Sequence, residues 1–441
     1  MNIAGIVPLA QTAEYLRTLP AIRERCSRVH HLATQGKLQY FDYHPEKEDA
    51  AIDLCIGIMK DKYKSADGGV DVQKIPPHGR WRHLDAGSPR VVNLLSQWSQ
   101  EPNAIDQTER ARRTIDLFLV SVLLDAGAGN VWKYDEKETS QSFARSEGLG
   151  VASFRMFESG FFSSVEGQPF QVDAQGLLKV TPQRVADAMQ VSEQNPMVGV
   201  DGRANLLSSL GTALKANPEF FGKDGRPGNI VDFLAGRTKT DSGVVQLPLP
   251  ALWHVMIQGL SPIWPSRLTL ASIPMGDVWP CPALRAANEG PHQEADDLVP
   301  FHKLTQWLTY SLVEVIETVL RWKVVGMEDM TGLPEYRNGG LLVDLGVLTL
   351  KPNALPTDPK SGLPYAEASH PAIVEWRALT VIELDRLAAG IRKKLDLTVD
   401  QLSLAQILES ATWNGGRHIA KQKRPETGGP PIEIQSDGTV F

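Results

Sequence analysis

Apolar residues recur at helical spacing along most of this chain, and one predicted helix carries them on nearly all of its sides. In RTIDLFLVSVLL, residues 113–124, polar side chains are too few to form a solvent-facing side. A helix of that composition is buried on most of its sides. Segments with strand character never alternate regularly with helices, which disfavours a doubly wound sheet and a (β/α)8 barrel. The pattern predicts a mainly α fold with minor β.

Further helices are predicted from the same spacing over residues 13–28, 48–60, 371–395 and 402–413. Pro300 suits the first position of another helix, which carries apolar residues at helical spacing as far as Val315. The C-terminal tail contains a strand-like IEI followed by a turn.

The predicted organisation is an N-terminal helical region over residues 1–110, followed by a helical core with a tail over residues 111–441. One compact unit is the alternative.

Charge and cysteine usage exclude several classes of function. The chain of 441 residues has a formal net charge of -7, which argues against general binding to nucleic acid or to a membrane surface. No apolar run reaches the roughly 20 residues that span a bilayer. Cys26, Cys55 and Cys281 are far apart, and the histidines lack metal-ligand spacing. We expect a cytoplasmic protein without a metal or another cofactor.

The segment TGLPEYRNGG, residues 331–340, combines an acid, a phenol, a guanidinium and an amide with two glycines. It is poor helix and poor strand material, and Pro334 restricts the backbone beside Glu335. One interpretation is a loop that holds an ionised Glu335 against a substrate, with Arg337 nearby. The alternative is an ordinary turn whose charged side chains face water.

A second polar cluster lies in VPFHKLTQWLTY, residues 299–310. His302, Gln306 and Tyr310 are spaced to share one helix face, and Trp307 lies beside them. A histidine next to Lys303 at a helix N-terminus is unfavourable unless an anion such as phosphate binds there. The alternative is a solvated polar face.

Three further positions could carry function. Asp125 follows the buried helix, where a hydrogen bond at the helix end is the alternative explanation. Asp277 and Trp279 lie in the Pro-rich segment MGDVWPCP. Glu375 and Arg377 fall within an otherwise apolar helix and are interpreted as a structural pair, because buried charges need partners.

Several long motifs together resemble one family, and the likeness covers nearly the whole chain. They are MGDVWPCP, VPFHKLTQWLTYSL, GLPEYRNGG, VEWRALTV and GGPPIEIQSDGTVF. The family is that of the fourth protein of the URC-type uracil-catabolism pathway of fungi and bacteria, formerly of unknown function. The resemblance implies a step that frees urea from ribosylurea or its 5-phosphate.

The last third of the chain is also similar to the queuosine-salvage nucleotide glycosidases. Glu335, Tyr336 and Arg337 stand at their acidic–Tyr–Arg motif, and Glu375 and Arg377 match a later Glu-x-Arg-Ala core. This resemblance implies a helix-hairpin-helix DNA-glycosylase-like core in the C-terminal half. Asn-Gly-Gly replaces Val-Pro-Gln after the motif, and Glu replaces the more usual Asp, which implies a base pocket that accepts something other than a large deazaguanine.

Both resemblances imply an N-ribosyl hydrolase with Glu335 facing the cation that develops at C1′. Asp277 or Asp125 would be the general acid, while Gly339 would let the sugar approach. The implied substrate-binding residues are His302, Lys303, Gln306, Tyr310, Trp279, Trp307, Tyr336, Arg337, Asn338 and Gly339.

The expected partner is a ribosyl or ribosyl-phosphate compound, together with other uracil-catabolism enzymes. A non-catalytic scaffold for the ring-opening enzyme of the pathway is the alternative. A nucleic-acid glycosylase is disfavoured by the acidic charge.

Overall fold

The computed structural model describes residues 8–102, 104–129, 131–264, 267–288 and 294–435. Its helices are α1 (Leu9–Leu16), α2 (Leu19–Thr34), α3 (Glu48–Lys62), α4 (Trp81–Leu84), α5 (Arg90–Gln97), α6 (Gln107–Leu123), α7 (Arg145–Glu158), α8 (Ala174–Leu178), α9 (Pro182–Ala188), α10 (Val200–Ala216), α11 (Pro218–Phe221), α12 (Ile230–Ala235), α13 (Leu249–His254), α14 (Pro282–Ala287), α15 (Lys303–Val315), α16 (Tyr336–Asp344), α17 (Pro371–Leu395), α18 (Leu404–Ile407) and α19 (Trp413–Lys423).

The strands are short. They are β1 (Phe41–Tyr43), β2 (Lys133–Glu136), β3 (Gln141–Ala144), β4 (Lys239–Asp241), β5 (Val244–Pro248), β6 (Thr269–Leu270), β7 (Ile273–Pro274), β8 (Val278–Pro280), β9 (Leu298–Pro300), β10 (Lys323–Val325), β11 (Leu348–Leu350), β12 (Tyr365–Glu367) and β13 (Glu433–Gln435). They form small local sheets, of which the largest described is the three-stranded β10–β5–β4. The mainly α fold with minor β is confirmed.

Helices α6 and α17 are long, and most of their residues are buried in the core. In α6, the Asp106 carboxylate accepts a hydrogen bond from the Glu109 N–H at 2.8 Å and fixes the helix start. Helix α17 begins at Pro371, as the spacing predicted, and packs against α2, α3 and α16. One buried apolar cluster runs from Leu19 to Ile432 and includes residues on both sides of position 110.

Only the first half of the segment 331–340 is the loop that its composition predicted. Helix α16 begins directly after Glu335, and both carboxylate oxygens of Glu335 accept backbone N–H groups of the first turn. This cap offsets the poor helix propensity of the sequence. The two glycines lie inside the helix, where they permit close packing against neighbouring elements.

Two other predicted helix boundaries were wrong. Pro300 lies in β9, opposite Val278 of β8, and α15 begins three residues later with His302 at its N-cap. The helix predicted over residues 13–28 is divided at Arg17 into α1 and α2. Pairing with β8 decides where α15 begins, whereas Pro20 in the first turn of α2 interrupts the helix predicted over residues 13–28.

The predicted C-terminal helix extends further than its sequence signal. Helix α18 passes through a π-helical turn, Leu408–Thr412, directly into α19. Such turns often occur at functional sites, because the extra residue redirects nearby side chains. The strand-like IEI corresponds to β13, whereas residues 436–441 of the tail lie outside the described residues.

No helix in the described ranges has both the length and the apolar character needed to cross a membrane. The helix-hairpin-helix arrangement and the boundary at residue 110 stay predictions.

Candidate functional site

A cavity of about 430 Å³ opens where the starts of α7, α15, α16 and α19 meet the segment that follows α6. Its size falls in the range of small-molecule sites, about 300–1,000 Å³. The lining residues are His78, His83, Asp125, Ala126, Gly127, Ala128, Gly129, Arg145, Ser146, Lys303, Trp307, Leu333, Glu335, Tyr336, Arg337, Trp413, Gly429, Pro430, Glu433 and Ile434. Six of the residues predicted from the sequence are therefore brought together here.

Glu335 is a buried carboxylate on the cavity wall. Its Oε1 accepts the Asn338 N–H and its Oε2 accepts the Arg337 N–H, each at 2.6 Å. Burial raises the pKa of Glu335, whereas these two hydrogen bonds and the charge of Lys303 oppose that rise. The carboxylate is thus fixed in position at a helix N-terminus, where the helix dipole favours a negative charge.

Lys303 is the first residue of α15. Its charge lowers the pKa of Glu335 more than the charge of Arg337 does. Its backbone N–H donates to Asp277 Oδ2 at 2.9 Å, which fixes the helix start. Its ammonium group makes no hydrogen bond or ion pair to any residue that the structure describes. Burial lowers the pKa of Lys303, while Glu335 and Asp125 oppose the change.

Asp125 supplies the second carboxylate in the predicted catalytic set. It pairs with Arg80 at 2.8 Å, and Arg80 also donates to Ser121 Oγ at 2.8 Å. Arg80 is fully buried, and burial lowers its pKa. Asp125 therefore lies on the cavity wall but is held from behind by a buried guanidinium.

Four rings line the cavity close to one another, and we name His78, His83, Trp307 and Trp413 the aromatic wall. His78 lies 4.7 Å from Trp307 and 5.9 Å from Trp413, measured between ring centroids. His83 lies 6.0 Å and 5.8 Å from the same two indoles. His78 Nδ1 is 2.8 Å from Glu409 Oε2, so the π-helical turn fixes this imidazole.

Two guanidinium groups, which we name the arginine pair, lie at another edge of the cavity. Arg145 donates to the Thr427 carbonyl at 2.8 Å, and Arg337 donates to the Gly428 carbonyl at 2.7 Å. Because the two acceptors are consecutive residues, both guanidinium groups lie at the same edge. The Arg337 group also lies 4.9 Å from the Tyr336 ring centroid. This edge is suited to bind an anion.

Asp277 and Trp279, in contrast, do not line the cavity. Both Asp277 oxygens pair with Arg377, at 2.7 and 2.8 Å, and the Trp279 indole N–H donates to Oδ1 at 2.6 Å. Burial opposes ionisation, but the Arg377 pair still holds the pKa of Asp277 well below its usual range. A carboxylate held in its ionised form is a poor proton donor, so the predicted general-acid role of Asp277 does not fit its surroundings.

His302, Gln306 and Tyr310 also lie outside the cavity lining. His302 Nε2 is 2.9 Å from the Leu16 carbonyl, and burial lowers the pKa of the imidazole. Gln306 exchanges hydrogen bonds with Thr331, whose carbonyl accepts the Tyr310 hydroxyl at 3.0 Å. These predicted substrate contacts are instead internal contacts that position α15 and the approach to α16.

Asn338 and Gly339 are buried in the interior of α16. The Asn338 side-chain amide donates to the Leu333 carbonyl at 3.0 Å. A Cβ at Gly339 would lie 2.8 Å from the Trp376 indole, so this glycine permits contact between helices. Its predicted role in sugar approach does not fit that location.

Glu375 and Arg377 have separate partners in the structure. Glu375 accepts the backbone N–H groups of Gln39 and Tyr40 at 3.1 and 3.0 Å. Arg377 pairs with Asp277 instead. Each buried charge thus ties α17 to a different segment.

Sequence reasoning did not select His78, His83 or Trp413. The two histidines lie in the run HGRWRHLDAG. Their spacing suits no metal site, so their pattern indicated no function. Trp413 lies at the start of a helix far away in the chain. Only the fold brings these residues to the same cavity.

Comparisons with known proteins agree with the resemblance seen in the sequence. The model of the family described as "Protein of unknown function (DUF1688)" matches residues 15–441. "Uracil catabolism protein 4" of Lachancea kluyveri is 41% identical over 442 residues, which cover 97% of this chain and 98% of that protein. "Protein urg3" of Schizosaccharomyces pombe is 42% identical over 436 residues, with 98% and 99% coverage. The chain belongs to the DUF1688 family.

Proposed function

We propose that this protein acts in uracil catabolism and hydrolyses a ribosyl N-glycosidic bond, with ribosylurea 5-phosphate as its substrate and urea and ribose 5-phosphate as its products. The name of the Lachancea kluyveri relative supports the pathway. The observation that carries the reaction type is Glu335, a buried carboxylate held by two backbone N–H groups on the wall of a small-molecule cavity.

Breaking the bond between C1′ and nitrogen leaves positive charge on C1′ and on the ring oxygen. A fixed carboxylate next to C1′ stabilises that charge more strongly in the transition state than in the ground state. In the proposed reaction, the oxygen of a water molecule bonds to C1′ as the C–N bond breaks. Glu335 accepts the proton that this water loses.

The leaving nitrogen needs a proton, because urea is a poor leaving group as an anion. Asp125 lies on the cavity wall but is already paired with Arg80 at 2.8 Å. The Lys303 ammonium has no such partner among the described residues, and burial lowers its pKa. We therefore assign proton donation to Lys303, with Asp125 as the alternative donor.

The arginine pair, Arg145 and Arg337, is then the group that binds the 5-phosphate. Each guanidinium uses one nitrogen for a backbone carbonyl and can direct others towards an anion. This assignment replaces the predicted pair of His302 and Lys303, because His302 lies outside the cavity lining.

The direct test is release of urea from ribosylurea 5-phosphate by the purified full-length chain. We expect Glu335→Gln to lower kcat about 10³-fold, equivalent to about 4 kcal/mol of transition-state stabilisation. Glu375→Gln is the matched control, because Glu375 is also a buried carboxylate that accepts two backbone N–H groups. It should retain activity.

Equal activity in both variants would refute the role of Glu335. No turnover by the unmodified chain, together with stable binding to the ring-opening enzyme of the pathway, would favour a scaffold.

A further inference from the structure

His83 has an unsatisfied ring nitrogen at the aromatic wall. The residue is 6% exposed and lines the cavity, and within the described chain neither ring nitrogen has a hydrogen-bond partner. Its Nδ1 is enclosed by protein, so Nε2 is the nitrogen that a ligand in the cavity can reach. A ligand that hydrogen bonds to Nε2 pairs a polar atom that the chain leaves unpaired, and it gains affinity. Burial and the nearby Arg80 charge lower the pKa of His83 to about 4. At neutral pH the imidazole is uncharged and has one donor and one acceptor nitrogen.

The rest of the aromatic wall is suited to a flat group without charge. Trp307 and Trp413 present indole surface, and His78 is fixed between them by Glu409. Aromatic side chains bind planar groups through large contact areas in defined orientations.

The arginine pair and the aromatic wall differ in chemistry. The arginine pair at one edge is cationic, whereas the aromatic wall combines apolar rings with a neutral imidazole. A ligand with an anion at one end and a planar neutral group at the other has a single favourable orientation. Glu335, the residue proposed to face the sugar, lies on the wall of the same cavity.

We propose that the aromatic wall is the leaving-group subsite, and that His83 determines specificity by hydrogen bonding to the –CO–NH– edge of a planar, uncharged ureido or pyrimidine group packed against Trp307 and Trp413. The proposal rests on the proposed function for the name of the leaving group. Its test measures binding alone.

The experiment compares two ligands by isothermal titration calorimetry with the full-length protein. Pseudouridine 5′-monophosphate carries a planar –CO–NH– group through a C–C bond, which an N-glycosidase does not hydrolyse. Ribose 5-phosphate lacks that group. We expect the unmodified chain to bind the first ligand at least about tenfold more tightly, because a planar contact and a buried hydrogen bond are added.

Variants of His83 then separate the hydrogen bond from the shape of the ring. His83→Phe should lose about tenfold in affinity for pseudouridine 5′-monophosphate and less than about twofold for ribose 5-phosphate. His83→Gln should retain most of the preference, because its amide group reaches the position of Nε2. Trp413→Leu should also reduce the preference. Trp322→Leu is its matched control, since Trp322 is partly buried and is absent from the cavity lining, and it should change neither affinity.

Equal losses for both ligands in His83→Phe, or no preference in the unmodified chain, would overturn the proposal. Selective binding without release of urea would support the subsite and refute the hydrolase. Release of urea with no selective effect of His83→Phe would support the hydrolase and refute the subsite.

Discussion

Replacing Gly416 by alanine tests how closely the site depends on the packing of α19 against α16. A Cβ at Gly416 would lie 2.1 Å from the Arg337 carbonyl oxygen and 2.6 Å from the carbonyl carbon. These are backbone atoms, so the contact cannot be relieved by turning a side chain. Because Arg337 lies in the turn that Glu335 caps, any movement of α16 also moves the proposed catalytic carboxylate.

The size of the effect follows from that distance. Ordinary contacts to a Cβ begin near 3.4 Å, so the two helices must separate or slide by roughly 1 Å. Overpacking of this kind costs about 1–3 kcal/mol, partly offset by about 1 kcal/mol of helix propensity that alanine gains over glycine. A displacement of roughly 1 Å at a catalytic group lowers kcat by about 10²-fold.

Gly415→Ala is the matched control, because it makes the same change one residue earlier in the same helix. Its Cβ would meet the end of the Leu341 side chain at 3.3 Å, which can turn aside. Unfolding in guanidinium chloride and release of urea are measured for both variants. We expect Gly415→Ala to be as stable as the unmodified chain or more stable by up to about 1 kcal/mol, with unchanged activity, whereas Gly416→Ala is less stable and less active. Equal behaviour of the two variants would refute the packing argument.

Three further outcomes are expected. The pH profile of kcat/KM should be bell-shaped. Its acid limb should lie above the usual Glu pKa of about 4.3, because the pKa of Glu335 is raised. Its basic limb should lie below the usual Lys pKa of about 10.4, because the pKa of Lys303 is lowered. Lys303→Met should lose both the basic limb and most of the rate. Little loss of rate in this variant would contradict proton donation by Lys303. Asp277→Asn should lower the free energy of unfolding by about 3–5 kcal/mol, because it removes the carboxylate that pairs with the buried Arg377, and adding Arg377→Met should restore most of the loss in thermal denaturation. The stabilisation from the Asp277 carboxylate should be complete above the unfolded-state pKa of about 3.9. It should be lost as the pH falls through the lower pKa of the folded state. If Asp277→Asn unfolds in acid at the same pH as the unmodified chain, this contribution of Asp277 is refuted.

The long helices could be predicted because their signals are local. Helix α17 spans the predicted residues 371–395, since apolar spacing and Pro371 are both visible in the chain. The start of α15 could not be predicted in the same way. Pairing of β8 with β9 places Pro300 in a strand, and His302 then takes a left-handed φ of 45° before the helix begins.

The candidate site shows the same division. Sequence and resemblance selected Glu335, Lys303 and Asp125, and all three line one cavity. The same reasoning assigned Gln306 and Tyr310 to the substrate, because helical spacing shows which residues share a face but not what that face contacts. Thr331 occupies that face in the folded chain.

The amino-acid sequence by itself determined the mainly α fold, the family, and a carboxylate just ahead of two glycines. Helix-forming patterns and motifs are properties of neighbouring residues, so they can be seen without coordinates. Only the tertiary structure decided that Glu335 caps a helix and that His83 and Trp413 share its cavity. These relations join residues far apart in the chain, and they depend on how the helices pack rather than on local spacing.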